Sequence, residues 1–416
     1  MKRSFRPGRA ARLGRATGIA LGAALLALTA ACGGSSASST VSSGASPSAA
    51  ASASSAGEAD FLTAAKAAVA TNYLGTDRTL PSSAPKPKAG KNVWVISCLQ
   101  AAEGCAVPAA GAKAAGELLG WKMTVFDGKG SPDVYAKGIR SAAANKADGI
   151  ILDVIDCVAA KQALVDAKAA GVKVFAFYSL DCDDPFVKGQ PVFDASLQYI
   201  NGRTYADQTE NAYSKSVADY VIAKTEGKAK VIEFTEDDIL VGKHLYAGFE
   251  TNLKPCSTCT IVKKVPFTLA DLVGGKLQAK AAAALTQHPE ATVLYVPYDS
   301  ALTLGIAQAV LSSGRNDSLL VTGGEGLTPN IGFLRTNAGQ DFAAGSPSQW
   351  VGWAAIDGMN RLLQGQPQVD EGIGSQSMDR EHNLPTGTPY YDGNVNPDGT
   401  AKADYKANFK KIWGIG

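Results

Sequence analysis

Tyr298-Asp299, Gly324-Glu325, Glu236-Asp237-Asp238, Tyr178-Ser179, Asp156 and Gln100 each follow a run of apolar residues, and each brings groups able to hold a small polar molecule. Carboxylates accept hydrogen bonds from ligand hydroxyl or ammonium groups, while Ser179 and Gln100 can donate or accept. Tyr178 and Tyr298 offer ring faces that stack on the C–H side of a sugar or on a cation, as does Trp350 further along. These residue types also have a plainer use. An acid at the start of a helix accepts from the free N–H groups there, and Trp350 and Trp353, three residues apart on a helix, would pack inward together.

Catalytic chemistry finds little support. The three histidines, His244, His288 and His382, do not form an HExxH pair, and neither a GxSxG turn nor a Walker loop occurs. The chain therefore reads as a binding protein without catalytic residues or a cofactor. "DCDD" at 181–184 lacks the spacing of a calcium loop. "NVNPDGT" at 394–400 begins like one, but Tyr405 stands where the bidentate Glu belongs, so no metal site is expected. Six of the 7 cysteines fall into local pairs: Cys98 with Cys105, Cys157 with Cys182, and Cys256 with Cys259. Three disulfides in an oxidising compartment are the favoured reading. The CxxC of Cys256 and Cys259 has a redox alternative, but a strand rather than a helix follows it.

Such residues must be positioned by something, and the chain from Lys91 onward supplies it. "NVWVIS" (92–97), "KMTVFD" (122–127), "DGIILDVID" (148–156), "VKVFAFY" (172–178) and "PVFDASLQ" (191–198) are apolar strand-like runs separated by Ala-rich helical stretches. The order then repeats through "AKVIEF" (229–234), "TIVKKV" (260–265), "TVLYVP" (292–297) and "SLLVTGG" (318–324). Continuously apolar strands alternating with helices signal parallel sheets covered on both faces. The expected class is α/β, with two doubly wound parallel-sheet lobes. Ligands in such sheets sit beyond the carboxyl ends of the strands, where the residues named above fall.

The seventh cysteine, Cys32, ends a different kind of segment. Lys2, Arg3, Arg6, Arg9, Arg12 and Arg15 precede an apolar stretch from Gly18 to Ala31, which is the layout of an export signal. Thr29-Ala30-Ala31-Cys32 resembles the lipobox of bacterial lipoproteins, so residues 1–31 are expected to be removed and Cys32 lipidated. That removal takes six of the 40 basic residues and none of the 38 acidic ones, leaving a net charge near −4. Nothing in that balance favours nucleic acid, and the lipid would be the only tie to the membrane. Residues 32–57 are rich in Ser and Ala and are expected to form a disordered tether.

The element order, together with "KADGIILDVID…VAAKQALVDAKAAGVKVFAFY", "KVIEFTEDDILVGKHLYAGFE", "LTQHPEATVLYVPYDSALTLGIAQAV" and "LLVTGGEGLTPNIGFL", resembles the type I periplasmic binding proteins, in particular the ribose-binding group. The resemblance spans roughly residues 90–380. It implies a three-crossing hinge near 198–202, 343–348 and 376–382. The first lobe would then hold 90–200 plus 346–380, and the second 201–345 plus 381–416 with a C-terminal extension. It also implies a monomer that captures a small solute, a sugar first of all, for an ABC permease at the outer face of the cell membrane. A ligand-sensing module for a membrane signalling partner would use the same cleft. The sugar-reading pattern is altered here: Tyr178-Ser179 replaces an Asp-Arg pair, Tyr298-Asp299 replaces Asn-Asp, Glu325 replaces an Asp, and Lys243-His244 replaces an Arg-rich stretch. An acidic lip without Arg forks leaves room for an amine-bearing ligand.

Overall fold

The apolar runs after Lys91 become two sheets in a computed structural model, which describes residues 48–77 and 80–415, with side chains from Asp60 onward. The first sheet contains β1 (Asn92–Ser97), β2 (Lys122–Asp127), β3 (Gly149–Asp153), β4 (Lys173–Phe177) and β5 (Ala195–Ser196) in the order β2-β1-β3-β4-β5. The second contains β6 (Lys230–Glu236), β7 (Thr260–Phe267), β8 (Val293–Tyr295), β9 (Leu320–Gly323), β10 (Phe342–Gly345) and β11 (Gln376–Asp379) in the order β11-β10-β9-β8-β6-β7. Every pairing is parallel except β10 with β11. Val93, Val95, Ile150, Ile151, Val174 and Phe175 are fully buried because helices cover both faces of the first sheet, which is why its strands do not alternate. In each sheet the strand order reverses beside the first strand, at β1/β3 and at β6/β8, and it is there that a cleft opens above the carboxyl ends.

Helix Ser348–Leu363 returns to the first lobe and crosses helix Glu103–Leu118 closely. Glycine permits that approach. A Cβ on Gly352 would meet the Pro108 carbonyl and lie 2.7 Å from the Ala112 nitrogen, and one on Gly111 would lie 2.7 Å from the Gln349 carbonyl oxygen. Two further helices flank this frame. Ser48–Leu74 begins inside the stretch expected as a tether, and its Phe61, Leu62, Ala65, Val69 and Tyr73 pack on the second lobe. An Ala-rich segment is a strong helix former once one face has a core to cover. Residues 32–47 of that tether, and Cys32 with the whole leader, lie outside the described residues.

The C-terminal helix Tyr405–Trp413 packs with the first lobe, although residues 381–416 were expected with the second. Aromatic stacking carries it across: Trp350 lies on Tyr405 with centroids 5.1 Å apart, and Trp353 on Trp413 at 5.8 Å. The Trp413 indole N–H also donates to Asp357 at 2.7 Å. Strand β11, expected in the first lobe, instead pairs with β10, so that crossing falls before 376. The chain thus passes between lobes at five places. Three lie near 197–204, 345–348 and 369–376, one follows Gly75, and one precedes Tyr405. The three expected disulfides are formed, with Cα–Cα distances of 5.9 Å for Cys98–Cys105 and 5.3 Å for both Cys157–Cys182 and Cys256–Cys259. Among the described residues no helix is long and apolar enough to cross a membrane.

Candidate ligand-binding site

The two sets of strand ends enclose a cavity of about 130 Å³ between the lobes, comparable to the ~150 Å³ engineered cavity that accepts a benzene-sized ring. The first lobe contributes Leu99, Val154 and Tyr178, each just past the end of its strand; the second contributes Tyr298 and Glu325 from the same positions. Val154 and Tyr178 have φ of 54° and 51°. A β-branched residue in that region is strained, and such strain gathers where a site dictates the backbone. Hinge residues Tyr199, Ser346, Gly374 and Ser375 close one side.

The remaining wall comes from the first helical stretch of the second lobe, and the strand-end rule did not find it. Tyr205, Gln208 and Thr209 share a helix face through i, i+3 and i+4 spacing. Tyr213, one turn further on at i+4 from Thr209, ends a π-helical turn over Thr209–Tyr213 and lines the cavity too. Its hydroxyl donates to the Pro297 carbonyl at 2.9 Å and would collide with a side chain at Gly324. The Tyr205/Gln208/Thr209 spacing was readable in the sequence; the π turn was not.

Polar groups divide sharply into those that face the cavity and those that tie loops. Tyr178 reaches the Ser346 hydroxyl at 2.8 Å, and Tyr298 donates to Glu236 at 2.6 Å. Burial raises the pKa of both phenols, so they remain neutral. Burial, partly offset by the Tyr298 bond, moves Glu236 up to about 8. Asp299, one of the expected ligand contacts, is fully buried behind the cavity. It accepts from the backbone N–H of Gly324, Gly326 and Leu327 and from the Gln340 amide at 2.7–3.0 Å. Its own N–H donates to Glu325 at 2.9 Å. Burial raises both carboxyls, and the neighbouring Glu325 charge raises Asp299 further, against the four donors that favour its ionised form.

Several other expected contacts serve the scaffold. Ser179 accepts from the Ile155 N–H at 2.8 Å and donates to the Phe177 carbonyl. Gln100 donates to Ser97 at 2.7 Å. Asp237 and Asp238 are exposed, and Asp238 accepts from the Leu269 N–H at 3.1 Å, placing a helix whose Leu269 and Leu272 do reach the cavity. Trp350 is spent on the stack with Tyr405. Asp156 has a more telling position. One oxygen accepts from Leu180 N–H in its own lobe at 2.9 Å, and the other from Leu240 N–H across the cleft at 2.7 Å. Burial, opposed by those two bonds, raises it to about 6.

Two similar links span the lobes. Glu103 accepts from the Thr328 N–H at 2.9 Å, and His244 joins Asp184 at 2.8 Å while its other ring nitrogen meets Glu210 at 2.5 Å. The cleft is therefore closed. The one group of His, Cys, Asp or Glu near enough to share a metal ion among the described residues is Cys157, Asp181 and Cys182, and a disulfide occupies both thiols.

A body of two doubly wound lobes, shut over one small chamber lined from both sides and from the hinge, is the build of a solute-binding protein. A family model described as periplasmic binding protein domain matches residues 97–367, and the chain belongs to that family of extracytoplasmic binding proteins. No protein of curated function matches the sequence. Solved structures share the fold. A sugar ABC transporter protein from Yersinia enterocolitica superposes with a TM-score of 0.61 at 16% identity, covering 80% of this chain and 99% of the other. A Mycobacterium smegmatis solute-binding protein with bound glycerol gives 0.60 at 17%, over 74% and 100%. A glucose-galactose binding protein from Geobacillus stearothermophilus gives 0.57 at 18%, over 70% and 98%.

Proposed function

We propose that this protein, lipidated at Cys32 and held at the outer face of the cell membrane, captures a small solute in the interlobe cavity and delivers it to an ABC permease. The carrying observation is the cavity itself, whose walls come from both lobes and the hinge, so a bound molecule joins all three. The ligand stabilises the closed form because only closure lets it touch both walls, and a permease can then recognise the closed shape. Sugars and polyols are the ligands named for the related structures, and a ring laid against tyrosine faces suits this cavity. The reading is tested by scanning sugars, polyols, nucleosides and amines for thermal stabilisation. A solute at 100 times its dissociation constant adds about 2.7 kcal/mol. Small-angle scattering should show compaction with any hit; stabilisation without compaction would refute capture by closure.

A further inference from the structure

The cavity's wall chemistry is unbalanced. Five tyrosines line it, Tyr178, Tyr199, Tyr205, Tyr213 and Tyr298, and the one ionisable group of another kind is the Glu325 carboxyl. No Lys, Arg or His lines it among the described residues. Behind the wall stand more carboxyls, Asp299, whose backbone N–H donates to Glu325, and Glu236 on the Tyr298 hydroxyl. Two buried polar atoms of the lining have no partner: the Gln208 side-chain oxygen, on a residue 7% exposed, and the Tyr199 hydroxyl, on a residue 2% exposed. Gln208 offers an acceptor there, and a buried acceptor without a donor is costly. An ionised carboxylate needs a counter-charge, and the protein supplies none.

Building on the proposed solute capture, we infer that the ligand class is a protonated amine carried on a small apolar ring, with the ammonium between Glu325 and the Gln208 oxygen and the ring against the tyrosines. An ammonium supplies donors to both acceptors at once and gives the buried carboxylate its missing charge. Tyrosine faces attract a cation electrostatically and cover the ring by ordinary burial. Anionic solutes are excluded, since nothing in the lining could neutralise them.

Benzylammonium and benzyl alcohol test this directly, being nearly equal in shape and differing in charge. Calorimetric titration of the full chain near neutral pH should find benzylammonium at least about tenfold tighter than the alcohol. Glu325→Gln, which keeps an oxygen for the Asp299 N–H, should collapse that ratio toward one. If the alcohol binds as well as the ammonium, or neither binds, the inference fails. Binding and compaction with glucose or arabinose but not benzylammonium would also overturn it while leaving solute capture intact. Should Glu325→Gln not fold, the wild-type ratio decides alone.

Discussion

The bond from Leu240 to Asp156 makes closure measurable. Leu240 opens helix Leu240–Leu253 in the second lobe, and its N–H is one of the orphan donors at a helix start. Asp156 satisfies it from the first lobe at 2.7 Å, while its second oxygen holds Leu180 within its own lobe. Asp156→Asn separates the two tasks. The amide oxygen can still serve Leu180, but the NH₂ group then faces the Leu240 N–H, placing donor against donor. Only the lost bond across the cleft enters the open–closed equilibrium. A hydrogen bond to a charged acceptor is worth about 1.5–3 kcal/mol, so the closed fraction, and with it the ligand affinity, should fall roughly 10- to 100-fold. The assay pairs calorimetric affinity with scattering profiles of the free and ligand-saturated protein. Expected are a weakened dissociation constant, a ligand-free form that is more open, and a normal closed form at saturation. An affinity within about twofold of wild type, where tenfold is worth 1.4 kcal/mol, would show that Asp156 is only a loop tie.

Other consequences follow from the same contacts. Replacing Cys157 and Cys182 together by Ser removes a link across 25 residues and should cost about 3 kcal/mol in denaturant unfolding; an unchanged midpoint would contradict this. Gly352→Ala places a methyl against helix Glu103–Leu118 and should destabilise the first lobe by about 1–3 kcal/mol, read by thermal melting. Burial raises Glu233 and Glu236 to about 8 and Asp77, Asp156 and Asp392 to about 6. The folded state thus holds protons that the unfolded chain releases near pH 4. Stability from these groups is present at that low end and is lost as pH rises through 6 and then 8. The melting temperature should accordingly decline from mildly acidic to mildly alkaline solution, and a flat or rising profile would sink the assignment.

Architecture was legible because strand-end positions follow from alternation alone. Tyr178, Tyr298 and Glu325 reach the cavity from the places that rule picks out. Asp299, Ser179 and Gln100 occupy equivalent places and do not. A carboxylate that binds an N–H of a ligand and one that binds an N–H of a loop obey the same chemistry, so sequence cannot separate them. Tyr213, like Tyr205 and Thr209, lies on a helix and not at a strand end, so the strand-end rule passes over it although its i+4 spacing from Thr209 is readable. Trp350 carries both a ligand-stacking and a core-packing reading in the sequence because Tyr405, on which it stacks, lies 55 residues further on in a helix with no counterpart in the repeating pattern.

The two additional crossings bear on how the jaws can move. Chain running out of helix Ser48–Leu74 and chain leading to helix Tyr405–Trp413 both pass the hinge, and tethers there would resist opening if they were pinned to the lobes. Their bonds go elsewhere. Thr76 N–H donates to the Ser375 carbonyl at 2.9 Å, and Asp77 accepts from Gly374 N–H at 2.9 Å and Asn394 N–H at 2.5 Å. Val395 N–H donates to Gln376 at 2.8 Å. Each of these joins one crossing segment to another, and Ile200 N–H on the Ile373 carbonyl does the same for the central pair. Four of the five segments are therefore tied into one bundle, with Asp77 bonded to two of the others. Gly374 and Ser375 belong both to this bundle and to the cavity wall. A solute held in that cavity would touch the joint itself, coupling occupancy to hinge angle by direct contact.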